Sequence, residues 1–160
     1  MEDAFFIFCA QYLFVLPIVI LGIYFFMQPR EDWKRMTVFA MSAAMLTYII
    51  GVVVGLSYYD PRPFVVGHFT PLIPHAPDNG FPSDHALLVS AVAMIGTMWN
   101  KKLGFVLWVL AVLVAIARVY VGVHHTMDVA GSFVISIVAV SLVVIFIQRR
   151  DRKQYGQVSK

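Results

Sequence analysis

Charge is scarce in this 160-residue chain: 13% of residues are charged and 60% hydrophobic, with a mean hydropathy of +0.79. Soluble globular domains carry about 25% charged residues. That deficit, joined to several apolar runs of about 20 residues, excludes a water-soluble fold and makes the chain an integral membrane protein. The one cysteine, Cys9, lies inside an apolar run, which excludes an intrachain disulfide. No internal repeat or low-complexity stretch is present, and the length suits a single domain over residues 1–160. Charged residues are absent from the middle of the apolar runs, which argues against an ion pathway. The start, Met-Glu-Asp, lacks a basic segment, and no small-residue cleavage site closes the first run. That run therefore reads as a retained helix and not as a signal peptide.

What is there reads as about five transmembrane helices in an all-α bundle. The first run, 4–27, is long enough to span, with a bend or loosening expected near Pro17. Pro29 stops it, and Trp33 in the charged connector 28–35 suits the headgroup level. The second span, 36–56, carries Ala40, Ser42, Ala43, Ala44, Gly51 and Gly55, small residues that permit close helix packing. The connector 58–82 holds every proline except Pro17 and Pro29, so one continuous helix is excluded there. Its Phe64, Val65, Val66, Phe69, Leu72 and Ile73 predict a loop lying on or dipping into the interface. The third span starts at Ser83 or Asp84 and ends near Trp99; Asn100, Lys101 and Lys102 make a turn. The fourth runs from Leu103 to about Val121 and the fifth from Met127 to Ile147, before a polar, basic tail, 148–160.

Lysines and arginines test that layout. Arg30, Lys34, Arg35, Lys101, Lys102, Arg149, Arg150, Arg152, Lys153 and Lys160 fall on one side of a five-span chain; only Arg62 and Arg118 fall on the other. Ten against two predicts N-terminus out and C-terminus in. This location accounts for the net charge of +3 without nucleic-acid binding. All five histidines then lie on the outer side of a plasma or inner membrane.

Three polar clusters interrupt the apolar sequence: Asp60-Pro61-Arg62-Pro63, Pro82-Ser83-Asp84-His85, and Arg118 to Asp128. Two guanidiniums can clamp the non-bridging oxygens of a phosphoryl group. Ser83 sits at a helix start, where free N–H groups favour an anion. His124 and Asp128, four apart, would share one helix face. A carboxylate holding one ring nitrogen leaves the other free to attack phosphorus, and His85 can protonate the leaving oxygen. The bland alternatives are a helix cap for Ser83, headgroup anchors for Arg62 and Arg118, and a metal site for His124, His125 and Asp128. Two arginines in the same place would repel a cation, so no metal is expected. His125 reads as a neighbour of the active histidine, and His68 and His75 as solvated loop residues.

The clusters resemble the signature of the type 2 phosphatidic acid phosphatase superfamily, Lys-x6-Arg-Pro, Pro-Ser-Gly-His and Ser-Arg-x5-His-x3-Asp, over residues 55–128. The resemblance implies a metal-independent phosphatase without a cofactor, acting on a membrane lipid phosphate or pyrophosphate through a phosphohistidine. It implies His124 as nucleophile, Asp128 as its orienting group and His85 as general acid, with Arg62, Ser83 and Arg118 on the phosphoryl oxygens. Three positions depart from the pattern: Gly55 stands for the lysine, Asp84 for the glycine and Ala117 for the serine. The Ser-Asp-His variant is similar to that of the bacitracin-resistance type of undecaprenyl pyrophosphate phosphatase, which makes that lipid the favoured substrate. Phosphatidylglycerol phosphate, phosphatidic acid and lipid A are the alternatives. From another class, a non-catalytic lipid-binding or transport protein is the rival.

Overall fold

A computed structural model describes residues 1–158, with side chains described to Arg150. Of the basic tail, Lys160 and the side chains of Arg152 and Lys153 therefore lie outside the described residues. The named elements among the described residues are all helices: α1 (Glu2–Gln11), α2 (Val15–Phe26), α3 (Arg30–Ser57), α4 (Pro63–Val66), α5 (Asp84–Trp99), α6 (Lys101–Tyr120) and α7 (Thr126–Val158).

Helices α3, α6 and α7 are long and apolar enough to cross a membrane, and α1 with α2 would make a fourth span, bent by 50°. That bend falls at Tyr12–Phe14 and not at Pro17 itself, which is buried in the first turn of α2. The reason is local: the proline ring collides with the carbonyl four residues earlier, here Leu13, so the break precedes the proline. Helix α5 is shorter, at 16 residues, or about 24 Å.

Short as it is, α5 is the centre of the bundle. It packs against α2, α3, α6 and α7, and Ala86, Leu87, Val89, Ser90, Ala91, Val92, Ala93, Ile95 and Gly96 are all buried. A helix surrounded by protein has no need of an amphipathic stripe. Its small residues let the neighbours approach. On α3 the buried stripe is Phe39, Ala43, Thr47 and Gly51, every fourth residue. Ser42 and Ala44, also small, face outward instead.

Polar contacts set the register of α5 on α7. Ser90 Oγ donates to Ser136 Oγ at 2.8 Å, and Ser136 Oγ to the Leu87 carbonyl at 3.0 Å. Ser132 Oγ reaches the Ser83 carbonyl at 3.0 Å and the Asp128 carbonyl at 2.8 Å. These hydroxyls act where no water competes, and the last one holds the start of α5 beside the start of α7. At the α5–α6 corner, Asn100 Oδ1 accepts from Lys102 N at 2.9 Å and Leu103 N at 3.1 Å, an N-cap that turns the chain at once.

An aromatic group joins the opposite end of the bundle: Trp99 stacks with Tyr24, and Trp33 packs on Phe25 and Phe26. The starts of α3 and α6, with Arg30, Lys34, Arg35, Lys101 and Lys102, lie at that end. Arg62 and Arg118 lie at the other, with all five histidines.

Candidate active site

The connector 58–82 is not merely a surface loop. After α4 it folds back, and its last residues pair with its first: Pro61 and Asn79 form an antiparallel bridge, and Gly80 N donates to the Asp60 carbonyl at 2.8 Å. Asn79 is the knot. Its Oδ1 accepts from Asp60 N at 2.9 Å and Phe81 N at 3.0 Å; its Nδ2 donates to the Gly55 and Tyr58 carbonyls at 2.8 and 2.9 Å. The otherwise unpaired carbonyls at the end of α3 are thus satisfied, and Arg62 and Gly80 are brought to the His124 turn.

That turn, 121–125, separates α6 from α7. Gly122 takes a φ of +82°, a conformation that side chains rarely tolerate. His124 therefore precedes α7 and does not share a helix face with Asp128, contrary to the spacing argument. Asp128 stands in the first turn of α7, and its Oδ2 accepts the His125 N–H at 2.8 Å. This is half of a capping box, with the acidic residue closing the helix start.

His124 is buried, and each ring nitrogen has its own surroundings. Nδ1 lies 2.9 Å from the Gly80 carbonyl oxygen and 3.4 Å from Asp128 Oδ2. A carbonyl only accepts, so Nδ1 carries the proton and Nε2 the lone pair. Toward that lone pair come Arg62 Nη1 at 3.4 Å and Arg118 Nη2 at 3.3 Å. Burial first, and then the two guanidinium charges, hold the imidazole below the ordinary histidine pKa, with Asp128 pulling the other way.

The two arginines are held differently. Arg62 donates from Nε to Asp78 Oδ1 at 2.7 Å, from Nη1 to the Val123 carbonyl at 2.9 Å and from Nη2 to the Asn79 carbonyl at 3.2 Å. Partial burial would raise Asp78, but the Arg62 hydrogen bond and charge keep its carboxyl below the usual range. Arg118, 3% exposed, meets the Ala10 carbonyl at 3.5 Å and His75 Nε2 at 3.1 Å. Among the described residues it pairs with no carboxylate. Ala117, where the signature has serine, is fully buried against Cys9 and Ala10, which keeps α1 close enough for the Ala10 carbonyl to reach Arg118.

Asp60 lies beside Asp128. Burial, and next the Asp128 charge and hydrogen bonding between the two side chains, push Asp60 upward, with His125 opposing.

His75, expected as a solvated loop residue, is instead part of the cluster: its ring centroid is 6.1 Å from that of His124 and it contacts Arg118. His68 is exposed, as expected. Ser83 occupies the N-cap of α5 but makes no capping hydrogen bond; its Oγ is buried and unpartnered. His85, in the first turn of α5, sets its ring edge-on to Phe14 at 4.9 Å. Asp84 is exposed. At Gly55 a Cβ would stand 3.2 Å from both the Phe81 carbonyl oxygen and Pro82 Cδ, so the Phe81–Pro82 turn packs tightly on this glycine.

Four buried polar side-chain atoms lack a partner among the described residues: His75 Nδ1, Ser83 Oγ, Arg118 Nε and Asp128 Oδ1. All belong to this one cluster. Buried polar atoms are normally paired, so a set of mainly donor groups around a buried cation is arranged for an anion. Sequence reasoning missed His75, Asn79, Asp78, Gly80 and Ser132, and gave Asp60 a place in the first cluster but no role. The signals were present only as a crowded loop, 75–80, and a small hydroxyl four residues after Asp128. No group of His, Cys, Asp and Glu among the described residues is arranged to hold a metal ion.

The sequence profile of the PAP2 superfamily matches residues 36–152. The chain is 31% identical to the undecaprenyl-diphosphatase BcrC of Bacillus subtilis (strain 168), over 85% of this chain and 70% of that one. It is 36% identical to the undecaprenyl-diphosphatase of Sulfolobus acidocaldarius, over 57% and 47% of the two chains. Its fold is similar to that of Aquifex aeolicus LpxE (TM-score 0.71, 24% identity, 89% of this chain and 85% of that one). It is also similar to a transmembrane PAP2 type phosphatidylglycerolphosphate phosphatase from Bacillus subtilis (TM-score 0.62, 24% identity, 92% and 77%). The three polar clusters gather at one end of an apolar helical bundle and fall within the residues which that profile matches: this chain belongs to the PAP2 superfamily and is a membrane lipid phosphatase.

Proposed function

We propose that this chain removes the terminal phosphate of undecaprenyl pyrophosphate at the outer leaflet, through a phosphohistidine on His124. The observation that carries the mechanism is the pair of buried guanidiniums converging on a His124 Nε2 whose opposite nitrogen is held by the Gly80 carbonyl. The names of the relatives from Bacillus subtilis and Sulfolobus acidocaldarius support the substrate.

In the first step the Nε2 lone pair attacks the terminal phosphorus. The bond from phosphorus to the bridging oxygen breaks, and His85 gives its proton to that oxygen as the lipid monophosphate leaves. Arg62, Arg118 and Ser83 Oγ take the non-bridging oxygens, where charge builds. In the second step His85 takes a proton from water, the water oxygen bonds to phosphorus, and the P–N bond breaks. Inorganic phosphate departs and His124 is restored. Asp128 steadies the positive charge that grows on the ring while Nδ1–H keeps the Gly80 carbonyl.

For topology, we count α1 with α2 as one bent span and α5 as another, giving five, with the site outside. The charge asymmetry between the two ends of the bundle supports this orientation.

Phosphate release by the purified protein decides the assignment, measured against undecaprenyl pyrophosphate, phosphatidylglycerol phosphate, phosphatidic acid and lipid A, with and without chelator. Highest kcat/KM on the pyrophosphate, chelator resistance and loss of release in His124→Ala are expected. The similarity to a phosphatidylglycerolphosphate phosphatase makes that lipid the second reading, and a preference for it would displace the first. Restoration of chelated enzyme by a divalent metal would overturn the metal-free mechanism, as would near-normal release by His124→Ala.

A further inference from the structure

The arrangement around Arg118 points to His75 as a further ligand of the transferred phosphoryl group, and we propose that its Nε2 donates a hydrogen bond to a phosphoryl oxygen once that group reaches His124. The inference rests on the phosphatase reading above and names a residue outside the three signature clusters.

Three observations carry it. First, one nitrogen, Arg118 Nη2, lies 3.1 Å from His75 Nε2 and 3.3 Å from His124 Nε2. The attacking nitrogen and the His75 nitrogen are therefore both one hydrogen bond from the same N–H group. The rings stand 6.1 Å apart, centroid to centroid, at a near-perpendicular 77°. That separation excludes a direct bond between them and is of the size that a tetrahedral phosphoryl group bridges.

Second, the site carries fewer cationic groups than its chemistry calls for. At position 55, where the signature has lysine, glycine supplies no cation. Among the described residues Arg62 spends part of its charge on Asp78, and Arg118 has no carboxylate at all. A dianionic phosphoryl group would gain from one more charged donor. His75 stands where such a donor would reach.

Third, His75 is held ready to switch. Guanidinium N–H groups only donate, so Nε2 accepts from Arg118 in the structure and the neutral ring keeps its proton on Nδ1, which is buried without a partner. Partial burial, and then the charges of Arg62 and Arg118, keep this imidazole neutral, with the Ala76 backbone opposing. A phosphoryl group bound between the arginines neutralises those charges. Arg118 Nη2 then turns to a phosphoryl oxygen, and the imidazole can take a proton and donate from Nε2.

Orthovanadate inhibition of phosphate release tests this, with His75→Ala, His75→Gln and His75→Lys purified beside the wild type. His75→Ala and His75→Gln should weaken vanadate inhibition about ten- to a hundredfold, the worth of one charge-assisted hydrogen bond. His75→Lys supplies a cation but cannot accept from Arg118, and should keep most of the affinity. Thermal unfolding in detergent checks that each variant is folded. In the wild type, vanadate should also move both His75 ring nitrogens to imidazolium chemical shifts, a readout that needs no variant.

Wild-type vanadate affinity in His75→Ala would overturn the proposal, and so would unchanged His75 nitrogen shifts. Full affinity in His75→Gln with loss in His75→Lys would overturn it too, by making His75 a prop for Arg118 only. A wild type that releases phosphate from no lipid would instead remove the phosphatase reading itself, and this inference with it.

Discussion

The Gly80 carbonyl, and not the Asp128 carboxylate, is the nearest acceptor to His124 Nδ1, at 2.9 Å against 3.4 Å. A neutral carbonyl therefore sets the tautomer of His124, the proposed nucleophile, with the carboxylate behind it. Orientation and electrostatics, often combined in one acidic partner, are divided here between two elements, the end of the 58–82 connector and the first turn of α7.

Gly80→Ala tests that division directly. A Cβ at this position would stand 3.1 Å from both Asp128 Oδ2 and the Asp60 carbonyl oxygen. The backbone must give way, and the carbonyl facing His124 moves with it. We expect kcat to fall about a hundredfold, the cost of misplacing a reacting group by roughly an ångström, with KM little changed. Full activity in this variant would mean that the Gly80 carbonyl does not orient the ring.

Asp128→Asn should be milder than the same change in a triad whose carboxylate alone holds the histidine, where kcat drops about 10⁴-fold. Asparagine keeps an oxygen for the His125 N–H, and Gly80 still holds Nδ1. A fall of about ten- to a hundredfold is expected. The acid limb of kcat/KM reports His124 deprotonation and lies below the ordinary histidine value of about 6.5, because burial and two guanidiniums disfavour the charged ring. Asp128 favours that charged ring, so its loss should move the limb to still lower pH. The substrate's own ionisation is common to both enzymes, so the difference carries the test. A limb that stays put, or a loss as complete as that of His124→Ala, would contradict the assignment.

Arg118→Met separates function from stability. The guanidinium is buried and pairs with no carboxylate among the described residues, a costly arrangement that an apolar side chain relieves. Activity and vanadate binding should vanish while Tm rises, by the equivalent of about 1–4 kcal/mol. A lowered Tm in detergent would show that Arg118 contributes to folding and is not held at a cost for the substrate.

Asn79→Ala should loosen the whole connector. Four hydrogen bonds join its side chain to residues 55, 58, 60 and 81, each worth about 1 kcal/mol net. Faster proteolysis between Tyr58 and Pro82, a lower Tm and a reduced kcat/KM are expected together. Loss of activity with the connector as protected as in wild type would place the role of Asn79 elsewhere.

Sequence alone was enough for the membrane class, the residues of the three clusters and the bounds of α5 and α6 to within a few residues; α3 begins at Arg30 and α7 runs to Val158, beyond the apolar runs 36–56 and 127–147, because a helix need not end where apolarity does. Apolar run length and charge scarcity depend on composition alone, and polar residues stand out against an apolar background. It also located the break in the first span to within a few residues, because a proline's steric demand is local. The rest was decided by tertiary structure. That α5, shorter than α3, α6 and α7, is the core could not be read from its pattern, since a helix buried on all sides has no polar face to mark its orientation. His75, Asn79 and Gly80 looked like ordinary residues of a proline-rich loop; only the fold-back of 78–81 onto 60–62 gave one an arginine partner, one four hydrogen bonds and one the Nδ1 proton of His124. The spacing of His124 and Asp128 named the right pair for the wrong reason. They meet because a turn with a left-handed glycine precedes α7 and the aspartate caps it, and contacts that depend on chain reversal leave no period in a sequence.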